Sequence, residues 1–589
     1  MTSKTNRKLF LTGALIALCG TANAADKAPA SGAGFLTKYC IRCHGEDYKY
    51  PGLDVADRVT LLTPADSTED PFLLPKDPDK SRLWQRAHGG GMPPEDQPLP
   101  SAPELAEFRK WIEAGAEFPK ADRPQRDFIG ERTLLSTILT DLRKQPERKQ
   151  PYLRYFSLVH LWNNPEISDE HLRIVRAGVS KLINSLSSQP RVVPPQVVDE
   201  DALVLRVDLR DYGWKNSQQW FSLLKAYPYG LRVPGPEAGQ LYELTYCDMP
   251  YLRADWFIYH AARPPLYHEL VTLPDYVGIP EKQSTLEKLV GVNLLDNYQN
   301  DRLWRAAFSG KKSGVSDHNR MVERHDSKYG WYWPSYDSAG DSDRQNFFRF
   351  PLGPKFAGRQ NLGAFEHDGG EIVFSLPNRL QAYMLALADG TRIEKGPLTI
   401  VSDANRFSGS NAVVNGISCM GCHRHGLIPF TDSVRPQWEN RTGDIADKVL
   451  RLFPEKKKMD LHFDRDRSQF LAALEEAVGP FLRTSDKDNR KITEFVEPVT
   501  AASKRYDRPV ELADVARELG LPEKQTDATA NKIKATAGEL ATAIKFSETL
   551  RRMELDALTV GEPLTRQQWE KVFGSTAREL GIGLPLLIR

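Results

Sequence analysis

The sequence predicts a multidomain α+β chain: a small all-α module, then a central domain containing an antiparallel sheet, then a helical C-terminal region. Three observations predict it. The chain has 589 residues, a length that suggests about three to four domains. Apolar residues recur at helical spacing around residues 31–120, give way to strands and aromatic loops from Val192 to Pro429, and return to helical stripes among charged residues after Pro429. The pattern Cys-x-x-Cys-His occurs twice, at Cys40-Ile41-Arg42-Cys43-His44 in the first region and at Cys419-Met420-Gly421-Cys422-His423 near the end of the second.

Each pattern is the attachment signal of a c-type haem. Two thiols one helical turn apart, Cys40 with Cys43 and Cys419 with Cys422, can add to the two haem vinyl groups, and the adjacent imidazole, His44 or His423, reaches the iron. A thiol-redox pair or a zinc half-site would also use C-x-x-C, but neither explains a histidine after the second cysteine both times. Two covalently bound c-type haems are therefore expected.

In chain order, residues 1–24 read as a signal peptide. Lys4, Arg7 and Lys8 precede an apolar run from Leu9 to Cys19, and Ala22-Asn23-Ala24 forms an A-x-A cleavage site. That run is too short for a membrane span, and no later segment reaches about 18 consecutive apolar residues, so no integral membrane segment is expected in the mature chain. Cys19 as a lipid anchor is disfavoured by the bulky Leu18 before it. A periplasmic location follows. Of six cysteines, Cys19 leaves with the leader and four serve haem, so Cys247 has no partner; it reads as a buried thiol, and a disulfide framework is excluded. With 79 Lys+Arg against 78 Asp+Glu, no basic patch points to nucleic acid.

Residues 25–120 form the first module. Phe35, Leu36 and Tyr39 lead into the first motif, His88-Gly-Gly-Gly-Met92-Pro-Pro forms a loop, and Leu105, Phe108, Trp111 and Ile112 share a helical face. This order resembles a small class I cytochrome c. More narrowly, it resembles the planctomycete-type monohaem domain, on Cys40 to Gly45, Gly52-Leu53-Asp54-Val55, Ser81-Arg82-Leu83, Met92-Pro93-Pro94 and Trp111-Ile112-Glu113-Ala114-Gly115-Ala116. The resemblance implies Met92 as the sixth ligand opposite His44. The loop chemistry agrees with it, because three glycines allow close backbone approach and two prolines stiffen the thioether's support. His88 is the runner-up.

Residues 121–191 read as a helical connector: a linker at 121–128, then a helix with Leu134, Leu135, Ile138, Leu139 and Leu142 on one face, then a second helix capped by Ser168. Residues 192–430 read as the α+β domain. Strands are expected at Val204–Leu209, Glu371–Leu376, Leu380–Leu387 and Arg392–Glu394, with Asp389-Gly390 as a hairpin turn. Residues 431–589 carry core stripes at Phe470, Leu471, Leu474 and Val478, at Leu512, Val515, Ala516 and Leu519, and at Trp569, Val572 and Phe573, with a connection at 523–539. Nearly the whole mature chain resembles a family of large di-haem c-type cytochromes with the same N-terminal domain. The matching stretches are Arg154–Asn163, Leu205–Trp214, Arg263–His268, Glu323–Asp326, His367–Ile372 and Asn415–His423. The resemblance implies two haems and no particular reaction.

No second M-P-P loop exists to supply a sixth ligand for the second iron. Met420 and His425 lie too close to the motif, leaving His268, His325, His367, His462 and Met384. Of these His325, between Arg324 and Asp326, and His367, before Asp368-Gly369-Gly370, are preferred, because their neighbours could orient an imidazole. Three functions compete on this reading. The first is electron transfer between periplasmic redox partner proteins. The second is a haem-dependent oxidoreductase, peroxidase-like or oxidising a small molecule, with the first haem as relay and the second as reaction centre. The third is a redox-sensing scaffold. The enzyme reading draws on size, since an electron carrier needs only about a hundred residues; against it, no motif of known di-haem peroxidases is visible.

Overall fold

The computed structural model describes residues 32–44, 53, 55, 61–62, 71–94, 97–116, 126–215, 217–233, 235–309, 319–341, 343–354, 364–485, 487–522 and 534–586. The expected leader, Gly45, Gly52 and Asp54, and most of the expected linker lie outside them. The chain divides into two compact units, residues 1–45 with 54–119, and residues 46–53 with 120–589.

In the first unit, α1 (Gly32–Tyr39) runs into α2 (Ile41–His44), and α3 (Arg82–His88) and α4 (Ala102–Glu113) follow. The face expected on α4 is used: Phe108 and Ile112 are buried, and Phe108 stacks on Phe35 of α1 with ring centroids 4.2 Å apart. Glu104 fastens the same pair of helices. Its carboxylate accepts from the Ser101 N–H at the start of α4 (2.9 Å), from Tyr39 Oη (2.8 Å) and from Lys38 Nζ (2.9 Å).

The second unit opens with α5 (Glu131–Lys144), β1 (Leu153–Ser157) and α6 (Asp169–Ser185), followed by β2 (Gln196–Val197), β3 (Val204–Asp208), β4 (Tyr251–Arg253) and α7 (Ala254–Ala261). The five expected leucine and isoleucine positions of α5 are all buried, and Ser168 caps α6 by accepting from the His171 N–H. Residues 121–191 nevertheless do not stand apart as a connector. Strand β1 lies inside a sheet of order β2-β3-β1-β4, antiparallel to β3 and parallel to β4. All five β1 residues are buried, so the alternation that marks a half-exposed strand is missing from its sequence.

The sheet that concerns function follows, with β5 (Leu303–Ser309), β6 (Asn319–Ser327), β7 (Gly330–Asp337), β8 (Gly369–Ser375), β9 (Gln381–Leu387) and β10 (Arg392–Ile393). They pair in sequence order, every pair antiparallel. The expected strands at 371–376, 380–387 and 392–394 are present, and the chain turns at Asp389-Gly390 with Gly390 at φ 76°. Gly370 is a requirement of the pairing: a Cβ there would lie 1.8 Å from the Ser335 carbonyl oxygen.

Short helix α8 (Ile417–Cys422) carries the second motif, and α9 (Lys456–Leu482), α10 (Pro498–Tyr506), α11 (Leu512–Glu518) and α12 (Arg566–Glu579) follow. Their stripes join the same core as α5, α6 and the four-stranded sheet. Helix α10 packs on α6, α7 and α8, and α9 packs on α6. A buried Lys181–Glu497 pair, 2.7 Å, links α6 to the start of α10, where Glu497 also accepts from the Thr500 N–H. The C-terminal helices are thus part of the body that holds the second motif.

Candidate haem centres

Helix α8 sets the geometry of the second motif. The Met420 N–H donates to the Gly416 carbonyl (2.8 Å) and the His423 N–H to the Cys419 carbonyl (2.8 Å), so Cys419 and Cys422 lie one turn apart. Gly416 starts the turn at φ 86°, and a Cβ there would sit 2.4 Å from the Ala262 carbonyl oxygen. Both cysteines and His423 line one cavity of about 1130 Å³, a volume that includes open solvent at its mouth. Its walls are mainly apolar. Phe308, Trp333, Val373 and Leu385 come from the sheet, and Ile400, Val413, Leu427 and Phe430 from the chain around α8. Mostly apolar walls with a few convergent polar groups are what a cofactor site needs.

The donor set fits haem. The Nδ1 of His423 lies 3.3 Å from the Gly426 carbonyl oxygen, an orienting contact typical of metal-bound imidazoles. That contact would leave Nε2 for an iron. Burial pushes both the Cys419 and the Cys422 thiols up, which is unlike the depressed thiols of C-x-x-C redox pairs. Among the described residues no group of three or more His, Cys, Asp and Glu is placed to hold a metal ion.

Strand parity decides what else faces the cavity. Side chains alternate faces along a strand, and Arg320 and Val322 of β6, Trp333, Ser335 and Asp337 of β7, Glu371 and Val373 of β8, and Leu385 and Leu387 of β9 line it. The register agrees: Arg320 pairs with Asp337, Val322 with Ser335, and Trp333 with Val373. His325 is an odd-numbered residue of β6 and falls on the opposite face. There its Nε2 meets Glu323 Oε2 at 3.0 Å and its Nδ1 lies 3.4 Å from Asn297 Nδ2, in a buried cluster that also includes Arg305 and Tyr336. Met384, paired with Ile372, shares that opposite face. His367 does not line the cavity either; its ring meets Tyr336, 5.0 Å between centroids, although the next residue, Asp368, does line it. His268 bonds Asn415 Nδ2 at 2.7 Å, and His462 stacks on Trp304 at 3.9 Å. The structure therefore brings Cys419, Cys422 and His423 together and brings neither His325 nor His367 to them.

The residue that sequence reasoning missed is Glu371. Its Oε2 lies 3.2 Å from His423 Nε2. Burial pushes its carboxyl up, but His423, then a hydrogen bond from the Cys419 thiol and the charge of Arg320, outweigh this and hold it at about 2, against an ordinary 4.5. It is set in place by the sheet, its N–H donating to Ser335 Oγ (2.9 Å). Arg320 and Asp337 form the neighbouring polar pair, with Nη2 3.1 Å from Oδ2.

In the first unit, His44 closes its short helix by donating its N–H to the Cys40 carbonyl (2.9 Å), and its carbonyl accepts from the Val55 N–H (2.7 Å). The ring is partly buried, and burial lowers its basicity, as suits an iron ligand that must be neutral. The loop expected to hold the thioether leaves α3 through hydrogen bonds from the Gly91 and Met92 N–H groups to the Arg86 carbonyl, both 3.0 Å. Met92 is 41 % exposed, and His88 stacks on Trp84 with centroids 5.0 Å apart.

Residues 40–96 match the family model described as planctomycete cytochrome C. The N-terminal unit carries a cytochrome c-type domain. The match runs from the first cysteine of the first motif to just beyond Met92-Pro93-Pro94, and such a domain implies a covalently bound c-type haem. No curated protein and no solved structure matches the chain. Among the described residues no helix is long and apolar enough to cross a membrane. Cys247 is buried, with its thiol pushed up by that burial.

Proposed function

We propose that this chain is an exported di-haem c-type cytochrome that passes electrons between periplasmic redox partners, with one haem in each unit. Cys40, Cys43 and His44 hold the first, with Met92 as its second axial ligand; Cys419, Cys422 and His423 hold the second. The observation that carries the reading is the cavity against α8, where both cysteines and the histidine of the second motif converge on apolar walls. The bound groups supply a one-electron iron couple; the protein sets their potentials through axial ligands and burial. The test is to express the protein in cells competent for haem attachment and to measure its mass and its haem-stained band after denaturation. Two covalent haems and two reduction midpoints support the reading. One haem, or none at Cys419 and Cys422, overturns it.

A second reading, a haem-dependent oxidoreductase with the second haem as reaction centre, is favoured by one observation. Among the described residues, those lining the cavity include no methionine and no histidine besides His423. On this reading the oxidised protein turns over peroxide. Absence of turnover leaves electron transfer alone.

A further inference from the structure

We propose that Glu371 is the second axial ligand of the iron held by His423, a carboxylate where the sequence suggested a histidine. The proposal rests on the second haem of the preceding reading and adds the group that faces it. Glu371 is the side chain that His423 Nε2 meets, 3.2 Å away, a hydrogen-bonded separation that would widen for an iron to take both atoms as ligands. It comes from β8, on the face of the sheet that lines the cavity together with both cysteines of the motif. Its N–H donates to the Ser335 hydroxyl, and its strand runs close to β7, where a Cβ on Gly370 would lie 1.8 Å from the Ser335 carbonyl oxygen. The other candidates are committed elsewhere: His325 to Glu323 and Asn297 on the far face, His268 to Asn415, and His462 to Trp304.

A carboxylate is a hard, anionic donor that favours ferric over ferrous iron and holds it less firmly than a second imidazole does. Such a centre has a lower potential than a His/Met haem. It also gives up its sixth position on reduction, to an external ligand with oxygen- or carbon-monoxide-like chemistry.

The experiment uses the full-length holoprotein, with haem content confirmed by mass in every variant. In the wild type, the near-infrared magnetic circular dichroism of the ferric second haem should report an oxygen donor trans to histidine. Glu371→Gln should shift the lower of the two midpoint potentials upward and leave the other unchanged. Glu371→His should convert that haem to a bis-histidine spectrum and abolish carbon monoxide binding by the reduced protein. Glu323→Gln, on the opposite face, should leave all these spectra as they are. A bis-histidine or His/Met signature for the second haem of the wild type overturns the proposal, and so does a Glu371→Gln spectrum and potential identical to the wild type. If Glu371→Gln does not accumulate, the wild-type spectrum decides alone. A protein with a single haem refutes the preceding reading instead, which separates the two failures.

Discussion

The two residues proposed as axial ligands, Met92 and His423, are supported differently. The thioether sits on a loop tied by two backbone bonds to Arg86, whereas the imidazole sits at the end of a helical turn and is oriented by a carbonyl three residues on. Substituting Met92→Ala should lower the midpoint potential of the first haem by ~0.1 V or more, because a thioether favours the reduced iron. The methionine-to-iron charge-transfer band should vanish with it. A band that survives the substitution would point to His88, whose ring now stacks on Trp84.

At the level of elements, the sheet matters through parity. Strand β6 sends Arg320 and Val322 to the cavity and His325 to the core behind it. His325→Ala should therefore leave the spectrum of the second haem unchanged. It should instead cost about 1–3 kcal/mol in denaturant unfolding, by removing a partner from the buried Glu323 carboxylate. A changed spectrum in that variant would mean that the far face reaches the iron after all. The α1–α4 contact makes a second prediction at this scale. Hydrogen bonds from Ser101, then Lys38 and Tyr39, hold the Glu104 carboxyl at about 2, against an ordinary 4.5. A depressed folded-state value means that this contribution is complete above 4.5 and is lost as the pH falls toward 2. Melting of the N-terminal unit measured across that window should show a slope that Glu104→Gln flattens. The effect is modest, because the group lies near the surface.

The chain divides into two compact units. Calorimetry should resolve two transitions, one for each unit. Phe108→Ala removes a ring that is 1 % exposed and stacked on Phe35. It should destabilise the smaller unit by about 3–5 kcal/mol and leave the other transition in place. A single transition that shifts as one would contradict the division.

The sequence by itself determined what depends on local spacing. Cysteines three apart followed by a histidine must share a helical turn, a stripe such as Leu134, Leu135, Ile138, Leu139 and Leu142 must share a helix face, and Asp389-Gly390 must turn. The tertiary structure decided which faces meet. Along β6 and β7 both sides of the sheet are largely buried, so no polar–apolar alternation in the sequence says which side holds the cavity. His325 and Glu371 each sit beside charged or glycine neighbours that could orient them, and nothing local separates the two. Only the pairing of the six strands, with Arg320 opposite Asp337 and Trp333 opposite Val373, turns the carboxylate toward His423 and the imidazole away, because a shift of one residue in register exchanges the two faces.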